Sequence, residues 1–555
     1  MENTESKDIN NWNRDNKKGF KRGLFLFRAL LVLISVLFVG SVTLQRKSIT
    51  NFLKKTFMTP EKYYRSVEKA AFASDMKVLT AFYERESKTF KKDQFSQSAE
   101  LSLQIGEALK NYIKQTYNVD IYQTDRISVN GGIAFDGAYL QSNLTFSDGK
   151  KELIAVNGIM DTDNRDFYFQ VPQLKREYGV ISGRDTQYLE ELALALTERS
   201  DLSEALPKRK DVEALLIKYY KTILSAVTSV RTEKGELTAE GITQPCTVLK
   251  SEIPATDLAQ IMEKIADELK QDKQMALLLG KLYNVFASQD EEKEETSEEM
   301  QDDLRYFSEE LRKAAERIRQ KDIGIGAVLY VDGKGTVRGR EITLRIEDDI
   351  RKISVYAPYN SGKIGLRITI EKGEDKERPL LCISGSGERA WGKISGNYSV
   401  SLSGMPVLDF SVKDFSTFRL KRGYFNAELT IKPNRMLQRF LPLRLPTSAD
   451  NRNEAMNPGN AVLTLGIKNG AKSRKYHILL ENGNEMLLNL TMALNNSEKV
   501  GIRVPTQQDT VFLEDAQDIR EWLRSFDWDK LKKEMEGSTL PDNLWRTVIE
   551  FFKRI

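Results

Sequence analysis

Asp161, Asp163 and Asp166 fall in the run D-T-D-N-R-D, whose alternating carboxylates suggest a calcium loop. An EF-hand loop also needs a glycine at its sharp turn and a bidentate glutamate at its end, and both are missing. Asx residues suit tight turns, so a plain hairpin turn is expected there. Gly385-Ser386-Gly387, in I-S-G-S-G-E-R-A-W-G, offers the glycines of a phosphate loop. That loop requires a strand before it and a helix N-terminus after it, so that free N–H groups meet the anion. Strand-like sequence flanks both sides, and a flexible hairpin is expected instead. Gly324-Ile325-Gly326 follows a helical stretch and fails the same test. His477, in K-Y-H-I-L-L, is the chain's one histidine, and with two cysteines this excludes a His/Cys metal site. No nucleophile motif accompanies His477, G-x-S-x-G does not occur, and a structural histidine is expected. No catalytic residue, metal or cofactor is therefore assigned, and the chain does not read as an enzyme.

The remaining chemistry is apolar. Phe135, Tyr139, Leu144, Phe146, Phe167 and Phe169 recur in a region of alternating strands. They either line a concave groove between sheet and helices or pack the helices as core. A groove of this kind suits a lipid, because acyl chains offer no hydrogen bonds and bind in proportion to the apolar area they bury.

The elements that would position these side chains follow from periodicity. A helix begins at Thr59-Pro60-Glu61, with threonine as cap and proline in the first turn. Its apolar face carries Tyr63, Val67, Ala70, Ala71, Met76 and Leu79. Ala99–Ile105 alternates as a strand, and 106–117 turns helical. Leu140, Leu144 and Phe146 then alternate with Tyr139, Gln141, Asn143 and Thr145 up to a turn at Ser147-Asp148-Gly149-Lys150. Helices are expected over 186–196 and 211–227, then a strand pair over 235–250 and a helix capped at Thr256. The acidic run 289–303 reads as a solvated linker or an exposed helix start, merging into a crossover helix. From Gly326 the period is two almost throughout, the signature of one large antiparallel meander. An exposed loop is expected over 448–460. Two helical stretches close the chain, around Trp522 and around Trp545.

The balance of 84 basic against 80 acidic residues gives a net charge of +4, with no basic face to suit a nucleic acid. Leu24–Leu44, LFLFRALLVLISVLFVGSVTL, is the most apolar stretch. From Ala29 to Gln45 it has 17 uncharged residues, within the ~17–25 that a bilayer core requires. Lys17, Lys18, Lys21 and Arg22 precede it, which places 1–22 in the cytoplasm and the body outside, against the opposing pull of Arg46, Lys47, Lys54 and Lys55. The alternative is a cleaved signal peptide, but Gly40-Ser41-Val42 is a poor cleavage site and no lipobox cysteine follows. Cys246 and Cys382 either pair in an oxidising compartment or remain two buried thiols.

A short basic tail, one span, M-T-P-E-K-Y-Y-R-S-V-E-K, N-G-I-M-D-T-D-N-R-D-F-Y-F-Q-V-P-Q-L, C-T-V-L-K-S-E-I and G-K-G-T-V-R-G-R-E-I-T-L occur in this order. Together they make the chain resemble functionally uncharacterised membrane-anchored proteins of low-GC Gram-positive bacteria. The order of elements over residues 57–500 is in turn similar to LolA/LppX-like lipoprotein carriers, where a curved sheet half-wraps helices. That resemblance implies an apolar ligand and no catalytic residues. The chain departs from such carriers in having a fixed span where they have a lipid-modified cysteine or no anchor.

The expected architecture is α+β, with curved antiparallel sheets wrapping helices behind one N-terminal transmembrane helix. Its segments are a cytoplasmic tail (1–22), a span (23–45), a juxtamembrane linker (46–58), an α+β domain (59–288), a charged linker with crossover helix (289–325), a β-meander (326–512) and C-terminal helices (513–555). The expected role is a single-pass, extracytoplasmic cell-envelope protein that binds a lipid or other apolar ligand. The alternative is a structural component that meets an envelope protein.

Overall fold

The computed structural model describes residues 49–555 except 91–93, 118–119, 122–123, 150, 183–207, 287–296, 347–348, 374–377, 435–460, 498–500, 540–545, 547–549 and 551–555. The apolar span, the helix over 186–196, the loop over 448–460 and most of the last helix lie outside the described residues. Among the described residues no helix is long and apolar enough to cross a membrane.

The chain is α+β, and among the described residues all strands join one 21-stranded sheet. The first six are β1 (Phe95–Ile105), β2 (Arg126–Phe135), β3 (Tyr139–Ser147), β4 (Glu152–Asp161), β5 (Asp166–Gln170) and β6 (Tyr178–Ser182). A second run begins with β7 (Val230–Ala239), β8 (Ile242–Ile253), β9 (Gly324–Val331), β10 (Val337–Ile346), β11 (Asp349–Tyr356), β12 (Tyr359–Asn360) and β13 (Lys363–Lys372). It continues with β14 (Leu381–Ala390), β15 (Lys393–Leu402), β16 (Met405–Ser416), β17 (Asn426–Pro433), β18 (Ala461–Asn469), β19 (Ser473–Asn482) and β20 (Glu485–Ser497). Each run is a meander, as the period-two pattern requires. The two join where β1 pairs antiparallel with β20, from Ser96 opposite Ser497 to Ile105 opposite Leu488. A short β21 (Thr510–Leu513) adds to β6 in the one parallel pairing among the described residues.

Helices gather at the two ends of this sheet. At the β7–β10 end, α1 (Ile49–Phe57) leads into α2 (Pro60–Phe90), whose N-terminus is capped where Thr59 Oγ1 accepts from Lys62 N. Its Tyr63, Tyr64, Val67 and Ala71 bury against Leu249, Leu329 and Val331 of the sheet and Leu224 of α4 (Arg209–Ser225). A further layer joins α5 (Ala255–Lys270), α6 (Lys273–Phe286) and α7 (Ser297–Gln320) through Leu269, Ala276, Met300 and Leu304. Thr256 does not cap α5: Pro254 occupies the cap position and Thr256 is already inside the first turn. Proline is tolerated there because the first N–H groups have no intrahelical partner. Between them in sequence, α3 (Glu107–Tyr117) packs Ala108 on Leu487 at the margin of β20.

At the other end, α9 (Ala516–Arg524) and α10 (Trp528–Glu536) start at Asp515 and Asp527, whose carboxylates accept from the first free N–H groups. Trp522, Phe526, Leu531 and Met535 pack on Leu153, Phe169, Ile181 and Leu513. Trp522 meets Phe169 and Phe526 edge-on at 4.7 and 4.4 Å.

Gly385-Ser386-Gly387 is not a hairpin but the middle of β14, opposite Gly396–Tyr398 of β15. A Cβ on Gly385 would lie 2.1 Å from the Asn397 carbonyl oxygen. Glycine is required there by the close approach of two backbones, a demand that an isolated sequence run does not distinguish from a turn.

Candidate functional site

Cross-strand partners share a face, so the registers sort every strand residue onto one side of the sheet or the other. One face is apolar along nearly its whole length. Starting at the C-terminal helices, it runs through Phe167, Met160, Leu140 and Phe135, and beside them through Ile154, Phe146 and Val129. It crosses the junction of the two meanders at Leu101 and Met492, and Leu103 and Leu490. It continues through Ile478, Leu465 and Leu429, then Val412 and the Phe410–Tyr398 pair, to Ile383, Ile368 and Val355, and past the buried Arg340 to Leu329 under α2. The opposite face carries Ser, Thr, Asn, Lys and Glu at the intervening positions, among them Thr464, Lys475 and Thr491.

Among the described residues, apart from Ala108 of α3 beside Leu480, helices cover this apolar face at its two ends. Between them, Leu101, Ile133, Leu144, Phe146, Val156 and Ile353 are each 36–41% exposed. Single exposed apolar side chains are ordinary, but a continuous band of them marks a binding surface. From β4 to β11 the band takes twelve strand-to-strand steps, roughly 55–60 Å at about 4.8 Å each. The sheet curls around the band: Val355 of β11 and Leu429 of β17 line one cleft of about 250 Å³ with Ile368, Tyr398, Phe410 and Phe415. Tyr398 stacks on Phe410 at 5.3 Å and lies over Gly385, whose missing side chain leaves room for the ring. Among the described residues the feature is a trough with half-exposed apolar side chains along its middle and helices at both ends. Two wider clefts, of about 690 and 450 Å³, are bordered mainly by polar residues such as Ser386, Asn397, Asn130 and Gln141.

Five of the six residues singled out from sequence share the apolar face: Phe135, Leu144, Phe146, Phe167 and Phe169. Tyr139 does not. It pairs with Asp161 on the polar face, and the carboxylates of Asp161, Asp136 and Asp163 push its phenol up. Parity already separates it from Leu140, its neighbour in the strand. Phe169 is packed under Trp522, so only the others border the open trough. The rest of the apolar band comes from β11–β20, whose alternation is legible as strand without showing what covers it.

The polar candidates are structural. Asp161 accepts from Asp163 N and Asn164 N at 3.0 and 2.9 Å and from Asn164 Nδ2 at 2.9 Å, which closes the β4–β5 turn. His477 Nε2 meets Asn489 Oδ1 at 2.9 Å, and Asn489 donates to Gln104 at 2.8 Å, a ladder across β19, β20 and β1. Among the described residues no group of His, Cys, Asp and Glu could hold a metal ion. Cys246 and Cys382 are free and buried, and burial pushes the Cys246 thiol up to about 12. A thiol reagent is expected to spare both in the folded chain and label both after denaturation, counted by intact mass.

The densest buried charge lies under α2. Arg340 donates from Nε and Nη2 to the two Glu68 oxygens at 3.1 and 2.8 Å, and Tyr220 donates to the same carboxylate at 3.0 Å. Asp75 is buried close by; desolvation pushes its carboxyl up to about 8, Arg340 opposes this and Glu68 adds to it. The Tyr220 ring stacks on Phe72 at 3.8 Å. This buried cluster fixes the helical end-piece to the sheet, with Arg340 the cross-strand neighbour of Val355 at the end of the trough. No family model and no curated protein matches the chain.

Proposed function

We propose that the protein is a membrane-tethered, extracytoplasmic binding protein that holds lipid acyl chains in the trough and performs no catalysis on them. The observation that carries this reading is the row of part-exposed apolar side chains that the described helices leave between the two end-pieces. Acyl chains match it because they need area and no hydrogen bonds, and the trough offers the first without the second. The apolar run 24–44 and the basic residues before it support a tether with the body outside.

The test uses a photo-crosslinking amino acid in the full chain, in cells. Placed at Leu465 in the trough, it is expected to give lipid adducts identified by mass spectrometry. At Thr464, one residue away on the polar face, it is expected to give none. Equal adducts at both positions would mean mere proximity to a bilayer, and none at either would overturn the assignment.

A further inference from the structure

Four two-residue hairpins share one backbone form, with both central residues at positive φ: Glu240-Gly241, Ser361-Gly362, Trp391-Gly392 and Ser403-Gly404. This is the type I′ turn, whose first position favours small or polar residues. Trp391 breaks that preference. It has φ +52° and is fully exposed, so it bears backbone strain without burying its ring. Beside it, the short helix α8 (Thr417–Leu420) holds Phe418, 54% exposed. Thr417 donates from both N and Oγ1 to the Gly392 carbonyl, at 3.0 and 2.9 Å, so the two aromatics project from one joined tip.

The tip is basic. Residues 388–393 and 414–424 carry Arg389, Lys393, Arg419, Lys421 and Arg422 against Glu388 and Asp414. Lys393 bonds Asp414 at 3.2 Å. The Arg422 guanidinium lies 4.2 Å over the Phe418 ring. Desolvation and the nearby Arg389 charge push the Lys421 ammonium down. Aromatic side chains amid Lys and Arg suit a bilayer interface with anionic headgroups.

Two placements connect the tip to the rest of the molecule. Phe415 and Ile394, each three residues from an exposed aromatic, line the apolar cleft, so the tip stands at the cleft's mouth. Strand directions also put the Trp391-Gly392 turn on the same sheet edge as the Asp332–Thr336 turn. There Asn51 of α1 donates to Gly333 O, which puts the start of the described chain on that edge.

We infer that the Trp391/Phe418 tip docks on the surface of an anionic bilayer, its aromatics in the interface and its cations on the headgroups, and thereby sets the trough's mouth against the lipid. This rests on the tethered, lipid-holding reading above and adds the surface that meets the membrane.

The experiment reconstitutes the full chain into vesicles whose lipids carry brominated acyl chains, which quench tryptophan at the bilayer. Comparison with Trp391→Ala isolates residue 391 from the other four tryptophans. In vesicles rich in phosphatidylglycerol a quenched component is expected in the native chain and lost in Trp391→Ala. Most of it is expected to vanish in Arg419→Gln/Lys421→Gln/Arg422→Gln, and when phosphatidylcholine replaces phosphatidylglycerol. Identical quenching in the native chain and Trp391→Ala overturns the docking. Full quenching in pure phosphatidylcholine overturns the anionic recognition, and a Trp391-dependent dimer without quenching assigns the tip to a second copy instead. Lipid adducts at Leu465, scored separately, show whether the trough reading stands when the tip reading fails.

Discussion

Replacing Arg340 with methionine is expected to lower the free energy of unfolding by about 3–5 kcal/mol, the range for stranding one partner of a buried ion pair. Glu68 would lose both guanidinium bonds and keep only Tyr220, in a core where Asp75 is already disfavoured as an anion. The double variant Glu68→Gln/Arg340→Met is expected to recover much of the loss, because no uncompensated charge remains. Denaturant titration of the three chains measures this. Asp75 gives the cluster a pH signature. Its folded pKa, about 8, is raised above the unfolded value, so the stability linked to its proton is full below about pH 4. That stability is lost as pH rises toward 8. Asp75→Asn is expected to flatten stability over this window and to raise it at pH 8, and an unchanged slope would show that another group titrates.

Placing an arginine at Leu465 is expected to cut lipid adducts at a probe on Ile478, its cross-strand neighbour, by at least about tenfold. A guanidinium among acyl chains loses its water and gains no partner, whereas in the empty trough it reaches solvent. The fold is therefore expected to hold, with an unchanged denaturation midpoint. Thr464→Arg, on the polar face, is the matched control and is expected to change neither. Equal loss in both variants would point to a general disturbance of the sheet.

The strands were legible because side chains alternate wherever one face meets water and the other does not. Leu366, Ile368 and Ile370 announced β13, as Leu463, Leu465 and Ile467 announced β18. The same alternation put Tyr139 opposite Leu140, and choosing it for its aromatic ring overrode the better signal. What periodicity does not carry is the identity of the covering layer. Phe169 lies under Trp522, and Phe146, on the same face, is 36% exposed. Both read alike from sequence, since a half-filled trough and a packed core use the same residue types. Thr256 shows the limit for caps: a favourable residue stood two positions after a proline that took the role. Trp391 was visible beside a glycine, but its meaning depends on exposure and on a positive φ.

The pairing of β1 with β20 constrains how the molecule can be made. Ser96 and Ser497 are cross-strand partners, yet most of the chain is synthesised between them. Until β20 emerges, β1 presents a bare ladder of N–H and C=O groups, the kind of edge that templates aggregation. Contacts so distant in sequence also form slowly. Assembly of this protein should thus stay incomplete through most of translation, with the first meander awaiting the last strand of the second.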